Sequence, residues 1–438
     1  MFRYYLWLGA RSLRRNPALT ALMVLTLAVG VAACMSAVTI LHIMSGDPIP
    51  HKSGRLLVPV LDNGPKAGYV PGMRPSFPLL TYRDAMNLLA SGQGARRTAL
   101  YDINSAIEPQ KPGLPIIDAS GVATTRDFFA MFDVPQLHGT VWSETMERTG
   151  AKVVVLSKRK SEEVFGRDNP VGRRIRLFGH EFEVIGVLGE WHPTPRYPHL
   201  LNGNGGRFGG EDDIFIPLPT AINLQVQTSG GTMCAEGSGP GFEGRLQSEC
   251  VWIQFWFEAD TLAGRTAIQH YLDAYTAEQR KLGRFPRQAP NHLFDVMEWM
   301  SYLYVVGNDS RITAWLASGF LLLCMVNAMG LLLAKFSVRA PEVGVRRALG
   351  ATKAAIFQQF LAETMVVGMA GGLLGLLLSQ AGLWLIRQQS YDLSVVAKMD
   401  WTMLGLTVAV AIVASILAGL LPTWRAGQVA PALQLKSQ

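Results

Sequence analysis

Residues Ile312–Ala334 read ITAWLASGFLLLCMVNAMGLLLA, an apolar run without Asp, Glu, Lys or Arg. A helix needs roughly 20 predominantly apolar residues to cross the hydrocarbon core of a bilayer, and this run is long enough. Three further uncharged runs stand at Ala18–Met44, Thr364–Ile386 and Trp401–Trp424. One Lys or Arg at the centre of a span costs roughly 2.5–3.5 kcal/mol on insertion scales, so their absence from all four runs carries weight. The fold class that follows is a polytopic α-helical membrane protein with four transmembrane helices. Residues 18–44, 311–334, 364–386 and 401–424 are its spans, and residues 45–310 form a large α+β extracytoplasmic domain between the first two.

Basic residues set the expected orientation. Arg3, Arg11, Arg14 and Arg15 precede the first span with no acid among them. Lys335, Arg339, Arg346, Arg347 and Lys353 crowd the 335–363 loop, and Arg387 and Lys398 in the 387–400 link are offset by Asp392 and Asp400. The positive-inside rule then predicts a cytoplasmic segment 1–17, loop 335–363 and tail 425–438, with the large domain and the short link outside. The net charge of +7 is absorbed by this asymmetry, and no basic cluster interleaved with aromatics points to nucleic acid. Val31-Ala32-Ala33-Cys34 has the look of a lipoprotein processing box. The apolar run continues well past it, whereas a signal core spans only about 7–15 residues, so an uncleaved anchor is expected.

Cys34 and Cys324 fall inside spans, where a small apolar role suffices. Cys234 and Cys250 both lie in the outer domain, flanking a stretch rich in Gly, Ser and Pro. In an oxidising compartment such a pair readily forms a disulfide; two free thiols are the alternative.

Within the outer domain, Arg55–Leu61 and Thr98–Ile103 read as strands around a helix at Pro78–Ala90. Val251–Phe257 and His292–Met297 read as strands around a helix at Thr266–Tyr275. Two β-α-β units of this kind suit a ferredoxin-like, porter-like module. Between them lies a strand-rich middle, with runs at Lys152–Leu156, Arg174–Phe178, Glu181–Leu188 and Asp213–Leu218 and helices at Thr125–Phe132 and Lys158–Phe165. This middle reads as a second lobe inserted into the first. His192–Asp213, rich in proline and then glycine, reads as a mobile surface loop, since no GxxxxGK[ST] phosphate cradle occurs.

Neither HExxH nor GxSxG occurs, and the eight histidines are scattered. The expectation is a chain without catalysis, metal or cofactor of its own. The loop Arg339-Ala-Pro-Glu342-Val-Gly344-Val-Arg346-Arg347-Ala-Leu349-Gly350-Ala351-Thr352-Lys353 is the sharpest signal. Pro341, Gly344 and Gly350 divide it into a short basic elbow, and Thr352 is positioned to cap a helix that runs into the third span. Such an elbow can take a push from a cytoplasmic partner; the plainer reading is contact with anionic membrane lipid. Gly368, Gly371, Gly372 and Gly375 form two overlapping GxxxG pairs that let helices approach closely. Whether they pack within the chain or across a dimer is left open by sequence. Asn327, mid-span, reads as a helix–helix hydrogen bond rather than a substrate ligand.

The segment EVGVRRALGATKAAIFQQFLAET, followed by GMAGGLLGLLLSQ, resembles the permease core shared by FtsX-like and MacB-type ABC transporter subunits. GVATTRDFFAMFDV, VVVLSKRKSEEVFGRDNPVGRRIRLFGHEFEVIGVLGEW and IFIPL resemble the MacB-type periplasmic core domain, and PTWRAGQVAPALQLK resembles the family's cytoplasmic end. The resemblance implies an inner-membrane permease that works by mechanotransmission, its periplasmic domain moved by ATP-driven closure of ATPases beneath. It matches Glu342, Gly344, Arg346, Arg347, Leu349, Gly350 and Ala351 to the loop that touches the ATPase. In MacB proper the nucleotide-binding domain precedes the first span, so here a separate ABC ATPase is expected to bind ATP and Mg. A second permease chain and a periplasmic adaptor with an outer-membrane channel are further implied partners. The expected function is export of a small molecule, peptide or toxin from the periplasm; lipoprotein extraction and FtsX-like regulation of an envelope hydrolase or sensor are the alternatives.

Overall fold

A computed structural model of the protein describes residues 16–75, 77–108, 116–201, 206–235, 237–389, 397 and 399–427. Arg3, Arg11, Arg14, Arg15, Asp392, Lys398, Gly203, Gly205 and the end of the tail lie outside the described residues. The chain divides into two units, Met1–Ser45 with Val306–Gln438 and Gly46–Val305.

The first unit is a bundle of four helices, Pro17–Ser45, Asn308–Val338, Lys353–Gln389 and Trp401–Gly427, each apolar and long enough to cross a membrane. At 1.5 Å per residue the 31-residue second span is ~46 Å long, well beyond a hydrocarbon core of roughly 30 Å. The first span packs on the second and third, and the fourth packs on the third and second. Small residues make these approaches possible. A Cβ on Gly30 would stand 2.8 Å from the Cβ of Cys324. The four glycines of the third span divide by face: Gly371 and Gly375 meet Leu27, Ala28 and Val31 of the first span, whereas Gly368 and Gly372 meet Ser415 and Ala411 of the fourth. Both pairs therefore pack within the chain. Gly368→Ala places a methyl group on the Ser415 side chain, leaving no room without separating two helices. Overpacking of this kind costs about 1–3 kcal/mol, so a lowered melting temperature of the detergent-solubilised protein is expected; an unchanged one would contradict this packing.

The second unit is built on one sheet. Its strands in chain order are β1 (Leu56–Val60), β2 (Leu80–Thr81), β3 (Arg96–Ile107), β4 (Ile117–Thr124), β5 (Gln136–Gly139), β6 (Val153–Leu156), β7 (Arg174–Leu177), β8 (His180–Leu188), β9 (Ile214–Pro217), β10 (Val251–Glu258) and β11 (His292–Asp295). The hydrogen-bonded order is β11-β1-β10-β3-β4-β9-β6-β8-β5, with β2 beside β10 and β7 beside β8. The first four are antiparallel neighbours. With helices Tyr82–Ala90 and Leu262–Lys281 as crossovers they form the split β-α-β pair of a ferredoxin-like module. The inserted lobe is not separate from this module. Strand β3 pairs with β10 along Arg96–Leu100 and with β4 along Leu100–Ile107, so one ladder runs through both lobes.

Apolar residues fill both faces of the sheet. Alternate residues of one strand enter different cores: Tyr101, Val154 and Ile214 one, Leu100, Val155 and Phe215 the other. Double-sided burial explains the nearly continuous apolar reading of β10, Val-Trp-Ile-Gln-Phe-Trp-Phe. It also corrects the reading of His192–Asp213 as a mobile surface loop. Residues 195–200 are buried, because Tyr197 and Leu200 help cover the second face, and the Trp256 indole N–H donates to the Pro198 carbonyl at 2.8 Å. His292–Met297 is strand only to Asp295. There Asp295 and Glu298 form a capping box that starts helix Val296–Tyr302.

Candidate functional site

The segment between the second and third spans is a helix, Ala340–Ala348, not an irregular elbow. Pro341 sits in its first turn, where a missing N–H leaves no bond unmade. Gly344 is buried beside Val343 on the inner face, so neither residue breaks the chain. Only Gly350 terminates it, with φ +98°. The Ala351 N–H then donates to the Arg346 carbonyl at 3.0 Å, and the Thr352 hydroxyl accepts the Ala355 N–H at 3.2 Å, starting the helix that becomes the third span.

The inner face is fixed by Val343 in a cluster with Phe336, Ile356 and Phe360, the two phenyl rings lying 4.3 Å apart. Outward, Arg346 is exposed but tied to the chain, donating to Glu342 at 2.5 Å and to Gln359 at 2.9 Å. Val345 and Leu349 are apolar and 56% and 83% exposed. The root of the helix is clamped by ions: Glu363 of the third span pairs with Lys335 at 2.5 Å and with Arg339 at 2.8 Å. Lys335 and Glu363 are buried. The resulting projection has a rigid base and an apolar tip flanked by charge.

Of the residues singled out in the sequence, Glu342, Gly344, Arg346, Arg347, Leu349, Gly350 and Ala351 share this one projection. Cys234 and Cys250 stand in the other unit, joined by a disulfide. Asn327 lies on an exposed face of the second span, with no side-chain partner among the described residues, so it is not a hydrogen bond between helices of one chain. Val345 and the Lys335–Glu363–Arg339 cluster were not singled out. The signal for the cluster was a lone acid at a span entry, with two cations across the loop.

A second constellation, in the large domain, also escaped notice. His199 lies between Asp102 of β3 and Asp212, its Nδ1 3.0 Å from one carboxylate and its Nε2 2.9 Å from the other. Arg196 pairs with Asp212 at 2.5 Å. All four side chains are buried. Burial works against the His199 charge, but the carboxylates of Asp212 and Asp102 outweigh it and push the imidazole up to about 9. Burial raises Asp102 above the ordinary carboxylate range; at Asp212 it acts in the same sense but is overcome by Arg196 and His199, which hold that group low. The cluster pins the proline-rich segment to the sheet.

Two family models match the chain. Residues 20–248 match the MacB-like periplasmic core domain and residues 315–431 the FtsX-like permease C-terminal domain. Among curated relatives, a macrolide export ATP-binding/permease protein MacB of Rhodopirellula baltica is 25% identical over 378 residues, covering 83% of this chain and 52% of that protein. A protein of the same name from Bdellovibrio bacteriovorus is 26% identical over 246 residues, covering 55% of this chain and 32% of that one. The pyoverdine export ATP-binding/permease protein PvdT of Pseudomonas entomophila is 25% identical over 322 residues, covering 71% and 42%. The chain thus spans about half, or less, of the length of these relatives. The periplasmic region of MacB from Actinobacillus actinomycetemcomitans aligns over 58% of this chain and 95% of its own, at 13% identity and a TM-score of 0.37. On the match across more than half of its residues, the chain belongs to the family of the MacB-like periplasmic core domain, here joined to an FtsX-like permease domain, the permease component of ABC transporters.

Proposed function

We propose that this chain is the permease subunit of a MacB-type exporter in the bacterial inner membrane. In this reading both termini and helix Ala340–Ala348 face the cytoplasm, in accord with the basic residues around that helix, and the Gly46–Val305 unit faces the periplasm. A separate ATPase, holding ATP and Mg, docks on the helix. Its closure is passed through the second and third spans to the large domain, which acts on a small molecule, peptide or toxin already in the periplasm. An adaptor and outer-membrane channel receive the substrate. The observation that carries the reading is the exposed Val345–Leu349 tip on a helix whose root is clamped by Lys335, Arg339 and Glu363.

Leu349→Asp is the cleaner test, because Arg346 also holds Glu342 and Gln359, so reversing Arg346 and Arg347 disturbs the helix itself. Burying a leucine is worth about 1.5–3 kcal/mol, so the substitution should weaken co-purification of the ATPase at least about tenfold while the chain still inserts. Unchanged co-purification would remove this helix as the docking site. Impaired membrane seating with ATPase binding intact would favour contact with lipid headgroups instead.

A further inference from the structure

Strand β1 ends at Val60, opposite His292 of β11. The chain beyond it reads Leu61-Asp-Asn-Gly-Pro-Lys-Ala-Gly-Tyr-Val-Pro-Gly-Met-Arg-Pro75. Prolines and glycines recurring at this density keep the stretch out of both helix and sheet, and Gly68 and Gly72 take left-handed φ values of +75° and +87°. This loop, β11 and helix Val296–Tyr302 together line a cavity of about 350 Å³, within the size range of small-molecule sites. The cavity shares no residue with helix Ala340–Ala348 or with the His199 cluster.

Its walls are rings. His292 and Phe294, alternate residues of β11, share one side of the strand and stack at 5.3 Å with 10° between their planes. Tyr302 lies 4.7 Å from Phe294 at 30°, and Trp299 backs both rings. Tyr69 and Met73 of the loop extend the apolar lining. The His292 ring is exposed, so the stack ends on a face that another flat ring can cover. Offset stacking is the arrangement such rings prefer.

The polar groups of the lining select the charge. Asp62 is buried and already bonded, accepting from Arg287 at 3.0 Å and from the Gly64 N–H at 3.1 Å. Arg74 is not matched in this way. Its Nη1 donates to the Tyr302 carbonyl at 3.1 Å, and its guanidinium lies over the Tyr302 and Tyr304 rings at 4.8 and 5.1 Å. No acid pairs with it among the described residues. Most of its N–H donors are therefore left over, and their fork fits the two oxygens of a carboxylate. The Tyr302 hydroxyl is also unmet, buried with no partner among the described residues. Burial pushes this phenol up, with Arg74 acting against the rise and Asp62 adding to it, so the hydroxyl lies in the field of both charges of the lining. An unmet buried donor is costly, and a ligand oxygen would relieve it.

We propose that this cavity binds a small planar aromatic carboxylate, its acid group met by Arg74 and the Tyr302 hydroxyl and its ring laid on the His292–Phe294 stack. The inference goes beyond the transport reading and does not depend on it: binding is measured without an ATPase, and its failure leaves the permease assignment as it stands.

The test uses the purified full-length protein and cinnamate as the probe. Titration calorimetry should show saturable binding with a Kd below about 1 mM. Cyclohexanecarboxylate keeps the charge without the flat ring, and benzylamine keeps the ring and reverses the charge; each should bind at least about tenfold more weakly. Arg74→Ala should weaken cinnamate at least about tenfold, and Arg74→Lys, which keeps the charge and loses the fork, should weaken it less. Tyr302→Phe removes only the hydroxyl. It should weaken cinnamate about threefold or more while leaving the melting temperature of the free chain unchanged or higher, which loss of a structural hydroxyl would not do. Absence of saturable cinnamate binding in that range would overturn the proposal. Tighter binding of benzylamine would overturn the acid, and equal binding of cyclohexanecarboxylate would overturn the stack. Cinnamate binding unchanged in both Arg74→Ala and Tyr302→Phe would place the ligand elsewhere and remove this cavity as its site.

Discussion

His199→Ala should destabilise the large domain by about 3–5 kcal/mol, the cost typical of removing one partner from a buried ion cluster. The loss leaves Asp102 and Asp212 in a space that excludes water, with the Arg196–Asp212 pair still in place. Thermal unfolding followed by tryptophan fluorescence reads it, since Trp256 is bonded to the same segment through Pro198. Replacing His199 and Asp102 together by leucine should cost much less than the single change, because the remaining Arg196–Asp212 pair is balanced. Equal losses in the two variants would contradict this account. The cluster also sets a pH dependence. His199 titrates near 9 in the folded chain against about 6.5 when unfolded, so the folded state holds its proton more tightly. The stabilisation is complete below about pH 6.5 and is lost as pH rises through 9. Asp102, also raised by burial, acts in the same sense. Native stability should therefore fall from pH 6.5 to 9, and His199→Ala should flatten that slope.

Glu363→Ala should be comparably damaging, again by about 3–5 kcal/mol, because it strands the Lys335 ammonium, buried at the end of the second span, and removes one ion-pair partner of Arg339. The expected readout is a lower melting temperature of the solubilised protein and loosening of helix Ala340–Ala348, seen as faster proteolysis at Arg346 and Arg347. The double change Lys335→Met with Glu363→Met should recover most of the stability. If it also recovers protease resistance, packing by Phe336, Val343, Ile356 and Phe360 holds the helix without the ions; if not, the ions set its position. A single Glu363→Ala chain as stable and as resistant as the native one would refute the clamp.

The spans were legible because absence of charge over a bilayer's width has few other causes, and the ferredoxin-like module because its strands and helices alternate with clear periods. Strand β4 was not legible. Ile117-Asp-Ala-Ser-Gly-Val-Ala-Thr has little strand propensity, and its place is set by tertiary contact, since Gly121 lies against the backbone of Ile214 in β9 so closely that no side chain fits. The buried 195–200 segment was hidden for a related reason. Proline and glycine mark a loop correctly, but nothing local says that a second sheet face needs Tyr197 and Leu200 to cover it. The elbow was misread because Pro341 and Gly344 were weighed as breakers without regard to position: one stands in a first turn and the other is buried within the helix. The His199 cluster, gathered from β3 and the 196–212 segment, has no sequence signal beyond the charges themselves.

Strand β3 belongs to both lobes at once, bonded to β10 over its first half and to β4 over its second. A tug along this strand loads the cross-strand bonds of the β3–β4 ladder in shear, all together, instead of peeling them one after another. Shear is the direction in which a ladder is stiffest. Asp102 anchors the ion cluster near the point where the partner strands change over, as a rivet would at a lap joint. The two lobes thus share one continuous ladder through β3, with no break in the sheet between them.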